Sequence, residues 1–349
     1  MTKFVQDDQP FSLSVVVANR NDGKYLRVCI ESVVRQSVPP DEFIILDDES
    51  TDNSVEVIEA AIRGYPFARL VRNPKNLGGV QNANHGLSLA KSKYVYFLGA
   101  NDMVLPGLFE RARSCLERMP AGIWSGMVWL MDEEDRYIRM HPSPVIALRD
   151  SYYSPEACRA MMCGLGNWLT GQTTIYRREA LVEAGGFDPK LKGLCDLLAA
   201  HVVTSRYGAA YSPAPLGVMR IHKGAFLTET LEDIAGLDAI LDEIKLRGPQ
   251  VEPALFTPEM LRRTRLRFYF ASLRLSKGAT TSAIMRKYGV ARRLLLALTK
   301  WIPKALSSVR TGLYFFIMRP FDVLPTIWYR FCGAAWIRLV ERFAGRIPR

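Results

Sequence analysis

The sequence predicts an α/β fold: a mostly parallel sheet flanked by helices, with a helical C-terminal extension. Apolar runs of strand length alternate with helical stretches through the first half of the chain. Loops rich in Asn and Asp follow those runs, and strand-like patterns stop near Ala254, where Arg-rich helical segments take over.

Taken in order, Ser12–Val17 reads as a strand, Lys24–Arg35 as a helix, Glu42–Leu46 as a strand, Ser54–Arg63 as a helix and Ala68–Val71 as a strand. This βαβαβ opening continues with a helix over Gly79–Ala90, a strand at Tyr94–Leu98, a helix after Pro106, and a strand at Trp124–Met131 that turns through Asp132–Asp135. Alternation of this kind puts helices on both faces of a parallel sheet. Further helices are expected near 257–276, 283–300, 303–318 and 323–343, with Pro303, Pro320 and Pro325 at breaks or starts. The chain is therefore expected to divide into an α/β unit, 1–250, and a helical extension, 251–349.

At 349 residues and 48% hydrophobic, the chain can fill a sizeable core. Its six cysteines (29, 115, 158, 163, 195 and 332) form no C-x-x-C pair, and the first residues lack the apolar stretch of a secretory signal. A reducing, cytoplasmic setting is expected. The longest uncharged stretches, such as 163–176 and 120–131, fall short of the ~18 apolar residues of a spanning helix.

The net charge of +11 is unevenly placed. Residues 255–349 hold 19 Lys and Arg against Glu259, Asp322 and Glu341, a charge of +16, and the preceding residues come to −5. Apolar and aromatic runs there, with Trp301, Trp328, Tyr329 and Trp336, suit helices lying on an anionic membrane surface at the inner face of the plasma membrane. They also suit a helical cap whose apolar faces pack on the α/β unit. Positive charge would attract nucleic acid too, but no recognised RNA or DNA motif accompanies it, and none is expected as a partner.

In open α/β sheets, ligands bind beyond the carboxyl ends of the strands. The loops at those positions are Asn19-Arg20-Asn21-Asp22, the acidic run starting Asp47-Asp48, and Gly99-Ala100-Asn101-Asp102. Asp47 and Asp48 fit either a solvated acidic turn before a capped helix or a carboxylate contact to a ribose or base. Asn73–Gly79 is a turn whose glycines open the next helix, where anions are favoured, and Asn82 and Asn84 add polar atoms to that helix. Taken alone, this turn is an ordinary loop. The segment Gly164–Gln172 is a glycine-rich loop in which Trp168 either shapes an acceptor pocket or packs as a connection.

The ordered strings from Ser14 through Asp47-Asp48, then NLGGVQNANHGL (76–87), KYVYFLGANDMVLP (93–106), and GGFDPKL (185–191) followed by Cys195-Asp196, resemble the family-2 inverting glycosyltransferases over roughly residues 12–225. The resemblance implies a GT-A fold and transfer of a sugar, with inversion, from a nucleotide-diphosphate sugar to a hydroxyl of a glycan or lipid-linked acceptor, as in cell-envelope or exopolysaccharide synthesis. It assigns Asp48 to the nucleotide base. Asp47 and Asn19, Arg20 and Asn21 would line the same pocket, with Asn76, Gly78 and Asn84 beside the nucleotide and the sugar. Arg20 stands where many members carry an aromatic residue, and a guanidinium can also stack on a base.

Gly99–Asp102 corresponds to the family's D-x-D-D, which holds a divalent metal, Mg or Mn, on the diphosphate. Gly99 and Asn101 replace acids, so the metal candidates are Asn101, Asp102 and, from the segment MRIHKG, His222. Asp196 matches the proposed general base, with Cys195 in place of the preceding Glu; without the resemblance it reads as a helix-start aspartate. A catalytically inactive nucleotide-sugar-binding module of the same fold is the alternative reading.

Overall fold

The computed structural model describes residues 10–141, 143–221 and 226–275, together with Leu313 and Phe316. The first strands are β1 (Leu13–Asn19), β2 (Glu42–Asp47), β3 (Ala68–Arg72) and β4 (Tyr94–Gly99), with helices α1 (Gly23–Val34), α2 (Ser54–Ala61) and α3 (Gly79–Leu89) between them. These lie within one or two residues of the expected elements. The strands run on into Asn19, Asp47 and Gly99, because ladder pairing continues there: Asn19 is opposite Asp47 and Ala18 opposite Gly99.

The chain continues with β5 (Met103–Val104), α4 (Leu108–Arg118), β6 (Ile123–Met131), β7 (Tyr137–Met140), β8 (Ser151–Tyr153), α5 (Pro155–Gly164), β9 (Ile175–Arg177) and α6 (Arg178–Glu183). Then come α7 (Cys195–Tyr207), β10 (Ala209–Arg220), α8 (Phe226–Glu232), α9 (Ile234–Val251) and α10 (Pro258–Leu275). The strand order is β3-β2-β1-β4-β9-β6-β10-β5, with β7 on β6 and β8 on β10. Strands β3, β2, β1 and β4 are parallel, as the alternation implies. Beyond β4 the sheet is mixed: the three-residue β9 runs antiparallel to both β4 and β6. A strand so short carries too little periodicity to show its direction in sequence.

Strand side chains alternate between two apolar layers. Val15, Val17, Phe43 and Ile45 pack with Leu26, Ile30 and Phe109 on one face. Val16, Ile44 and Leu46 pack with Leu87, Leu181 and Leu237 on the other. Burial on both faces explains why these strands read as continuous apolar runs.

Helix α10, expected near 257–276, packs on this body. Met260, Tyr269 and Phe270 are buried in the second layer. Arg267 donates to the carbonyls of Met162, Cys163 and Gly164 at 2.8–3.0 Å, and Arg263 to that of Cys163 at 3.2 Å. Glu259 pairs with Arg262 and Arg263, and Asp242 with Arg265. The cap arrangement therefore describes α10. The helices expected near 283–300, 303–318 and 323–343 lie outside the described residues. Among the described residues, no helix is long and apolar enough to cross a membrane.

Candidate active site

Parallel pairing aligns the ends of β1, β2, β3 and β4, so the loops that follow them share one edge of the sheet. Asp47 and Asp48 are 3% and 1% exposed and face inward rather than forming a solvated turn. Asp47 accepts from the Asn19 side-chain amide at 2.9 Å and from the Ser50 N–H at 3.2 Å, joining the first two loops. Asn21 accepts from the Thr51 N–H at 2.8 Å, and its own N–H donates to the Ser50 hydroxyl at 3.0 Å. Arg20 stands exposed beside them.

Asp48 organises the third loop. Its carboxylate accepts from the N–H groups of Leu77 (2.8 Å) and Gly78 (2.9 Å) and from the Asn73 amide (2.9 Å). The Asn73 amide nitrogen also donates to Asn82 at 2.8 Å, and the Asn73 carbonyl oxygen lies 2.9 Å from His85 Nδ1. Gly78 begins α3 with φ 83° and ψ 149°, a conformation essentially restricted to glycine. Asn76 is exposed; its side-chain oxygen accepts the Gly78 N–H at 2.9 Å, and its own N–H donates to Glu49 at 3.0 Å. Asn21, Glu49 and Asp135 are non-glycine residues with φ near 60°. All three lie on this rim, where strained backbone concentrates at ligand sites.

The loop after β4 folds on itself. Asp102 is 8% exposed and accepts the Arg220 N–H at 2.7 Å. Burial pushes its carboxyl up to about 7, opposed by that N–H and by the Arg220 charge and assisted by Asp22. The Arg220 guanidinium donates to the carbonyls of Asn101 and Asp132, each at 2.9 Å, pairs with Asp135 at 2.6 Å, and lies 4.4 Å from the Tyr25 ring centre. Among the described residues, no group of three or more His, Cys, Asp or Glu side chains could hold a metal ion, and His222 lies outside them. Asn101 and Asp102 do come together, but as a closed turn rather than a presented ligand pair.

Asp196 sits in the first turn of α7. The antiparallel β9 sends the preceding loop to the carboxyl end of β4, and Asp196 Oδ2 packs so closely on Gly171 of that loop that a Cβ there would lie 2.9 Å away. Its Oδ1 accepts the Leu197 N–H at 2.7 Å. Solvent reaches the residue, yet crowding by protein raises its carboxyl above the ordinary value, against the N–H groups of Leu197 and Asp196. Burial also holds the neighbouring Cys195 thiol protonated, pushed up to about 12.

Asn84 reaches the same region through the backbone of Phe187. Its amide donates to the Phe187 carbonyl at 2.7 Å and its oxygen accepts the Phe187 N–H at 2.9 Å, clamping the loop that leads to Asp196. Trp168 is 1% exposed and packs near Tyr153 and Tyr211, so it anchors its loop in the core while Gly171 of that loop lies against Asp196. Asn73, Arg220 and Tyr25 escaped the reading of the sequence. Asn73 and Arg220 stand inside strings already singled out, but their partners are distant in the chain.

The glycosyl transferase family 2 profile matches residues 14–184. An uncharacterised Mycobacterium tuberculosis protein, MT1568, is 27% identical over 241 residues, covering 67% of this chain and 74% of that protein. Glycosyltransferase GlyG of Streptococcus pneumoniae is 32% identical over 123 residues, which span 35% of this chain and 41% of GlyG. Among solved structures, residues 1–349 of S. aureus TarS in complex with UDP-GlcNAc superpose with a TM-score of 0.59 at 16% identity, covering 94% of this chain and 92% of that one. That likeness establishes the fold. The profile match runs from β1 through α6, so residues 14–184 carry the glycosyl transferase family 2 pattern on a sheet of the GT-A type.

Proposed function

We propose that the chain is an inverting glycosyltransferase that moves a sugar from a nucleotide-diphosphate donor to a hydroxyl of a glycan or lipid-linked acceptor in cell-envelope or exopolysaccharide synthesis. The observation that supports this is the meeting, at one sheet edge, of the polar cradle built by Asp47, Asp48 and Asn73 with Asp196 beside Gly171. TarS, which shares the fold, was crystallised with UDP-GlcNAc.

In this reading the donor lies along the loops after β1, β2 and β3, with Arg20 free to cover the base and the α3 N-terminus facing the diphosphate. Asp196 takes the proton of the acceptor hydroxyl as its oxygen bonds to the anomeric carbon. The bond from that carbon to the diphosphate breaks on the opposite face, and the nucleoside diphosphate departs. The raised carboxyl of Asp196 is closer to the pH at which a base works well than an ordinary aspartate would be.

The replacement of family acids by Gly99, Asn101 and Cys195 favours a second reading, a nucleotide-sugar-binding module without turnover. Assaying donor hydrolysis and transfer over a panel of nucleotide sugars decides between them: turnover that Asp196→Asn abolishes supports catalysis. Turnover untouched by Asp196→Asn removes that residue from the mechanism, and binding without turnover supports the module. Contact with an anionic membrane surface at the cytoplasmic face is assigned, within the same proposal, to residues 255–349 and chiefly to those beyond Leu275, since the arginines at 262, 263, 265 and 267 are already paired with acids or carbonyls of the protein.

A further inference from the structure

We propose that this chain binds the donor diphosphate without a resident divalent metal, the Asn101–Asp102 turn being closed by Arg220 in the metal's stead. This rests on the donor-site reading above.

The space for the first family acid is already filled. A Cβ on Gly99 would lie 2.5 Å from Asp102 Oδ2 and 3.1 Å from Asn101 Oδ1, so the turn's own side chains occupy the ground a carboxylate would need. An acid at 99 would require the ends of the Asp102 and Asn101 side chains to swing aside, so the closed turn favours glycine there.

The one remaining carboxylate is committed elsewhere. Mg²⁺ and Mn²⁺ sites of this kind need one or two carboxylates presented to the phosphates, with oxygens completing the shell. Asp102 is 8% exposed, with Oδ1 bonded to the Arg220 N–H and Oδ2 lying against Gly99. Asn101 supplies an uncharged amide, and its main-chain oxygen already accepts from the Arg220 guanidinium.

A cation is already in place. Arg220 is 4% exposed, joins the Asn101 and Asp132 carbonyls and the Asp135 carboxylate, and rests on Tyr25. It ties the turn after β4 to the β6–β7 hairpin, a bridging task that a metal could otherwise perform. A divalent ion added beside it would meet a guanidinium whose charge the Asp135 carboxylate offsets only in part, and the repulsion is felt most where solvent is scarce. Countercharge for the diphosphate then falls to the α3 N-terminus and to Lys75, which is exposed on the same edge.

The test is calorimetric titration of the full chain with UDP, GDP, CDP and dTDP, once with EDTA and once with millimolar Mn²⁺ or Mg²⁺. The expected result is that the best-bound diphosphate has the same Kd in both buffers to within about twofold. A Kd tightened about tenfold or more by metal would overturn the inference while leaving the donor-site reading intact. No binding of any diphosphate in either buffer would sink the donor-site reading and this inference with it.

Discussion

Replacing Asn84 by alanine separates two roles for this side chain. If it acts as the structure places it, Asn84→Ala removes both hydrogen bonds to Phe187, 2.7 and 2.9 Å long, and leaves a backbone N–H and a carbonyl facing a methyl group. An unsatisfied buried polar group costs about 1–3 kcal/mol. Both groups here are only part-buried, so water recovers some of the loss, and a total near 2 kcal/mol is expected. The loop also carries Phe187 against Phe97, 4.9 Å between ring centres, and leads into Asp196. Loosening it by about 1 Å should lower kcat on the order of a hundredfold. Asn84→Asp keeps an acceptor for the Phe187 N–H but sets a carboxylate oxygen against the Phe187 carbonyl, so its stability should improve as the pH is lowered toward the carboxylate range. Urea unfolding at pH 7, with turnover measured alongside, reads both effects. An Asn84→Ala protein within about 0.5 kcal/mol of the parent, with KM raised and kcat kept, would refute the clamp and return Asn84 to direct donor contact.

The buried Asp102 carboxyl, raised to about 7, contributes stability at low pH that is lost as pH rises from the ordinary aspartate range through about 7. Asp102→Asn keeps an acceptor for the Arg220 N–H, so the variant should gain stability relative to the parent as pH rises over that window, as read by melting temperature. The raised carboxyl of Asp196 predicts that kcat falls on acidification at a pH above that of an ordinary aspartate, and that Asp196→Asn is at least as stable as the parent at pH 8. A loss of melting temperature in that variant would contradict the desolvation account. Truncation after Leu275 should leave a folded protein that no longer co-sediments with anionic liposomes, whereas retained binding would move the membrane contact into the body.

The sequence by itself determined the order of the elements from β1 to β4 and their borders to within two residues, and it marked β6, because strands buried on both faces need unbroken apolar runs and the intervening helices carry their own periodicity; the two-residue β5 is too short to show. The sequence also marked the loops at the carboxyl edge, since local polarity after a strand is visible in a single string. The direction of β9 was decided only in three dimensions: three residues hold no pattern, and their pairing comes from β4 and β6 on either side. The tasks of individual side chains were decided there too. Asp48 and Asn84 were marked by their strings alone, and only the fold shows that their hydrogen bonds go to Gly78 and Phe187, 30 and 103 residues away. Arg220, 118 residues from Asp102, closes a turn that in sequence shows only missing acids. A hydrogen bond between distant residues leaves no local periodicity, so the residue types could be read from the chain, but their partners followed from the packing of the sheet.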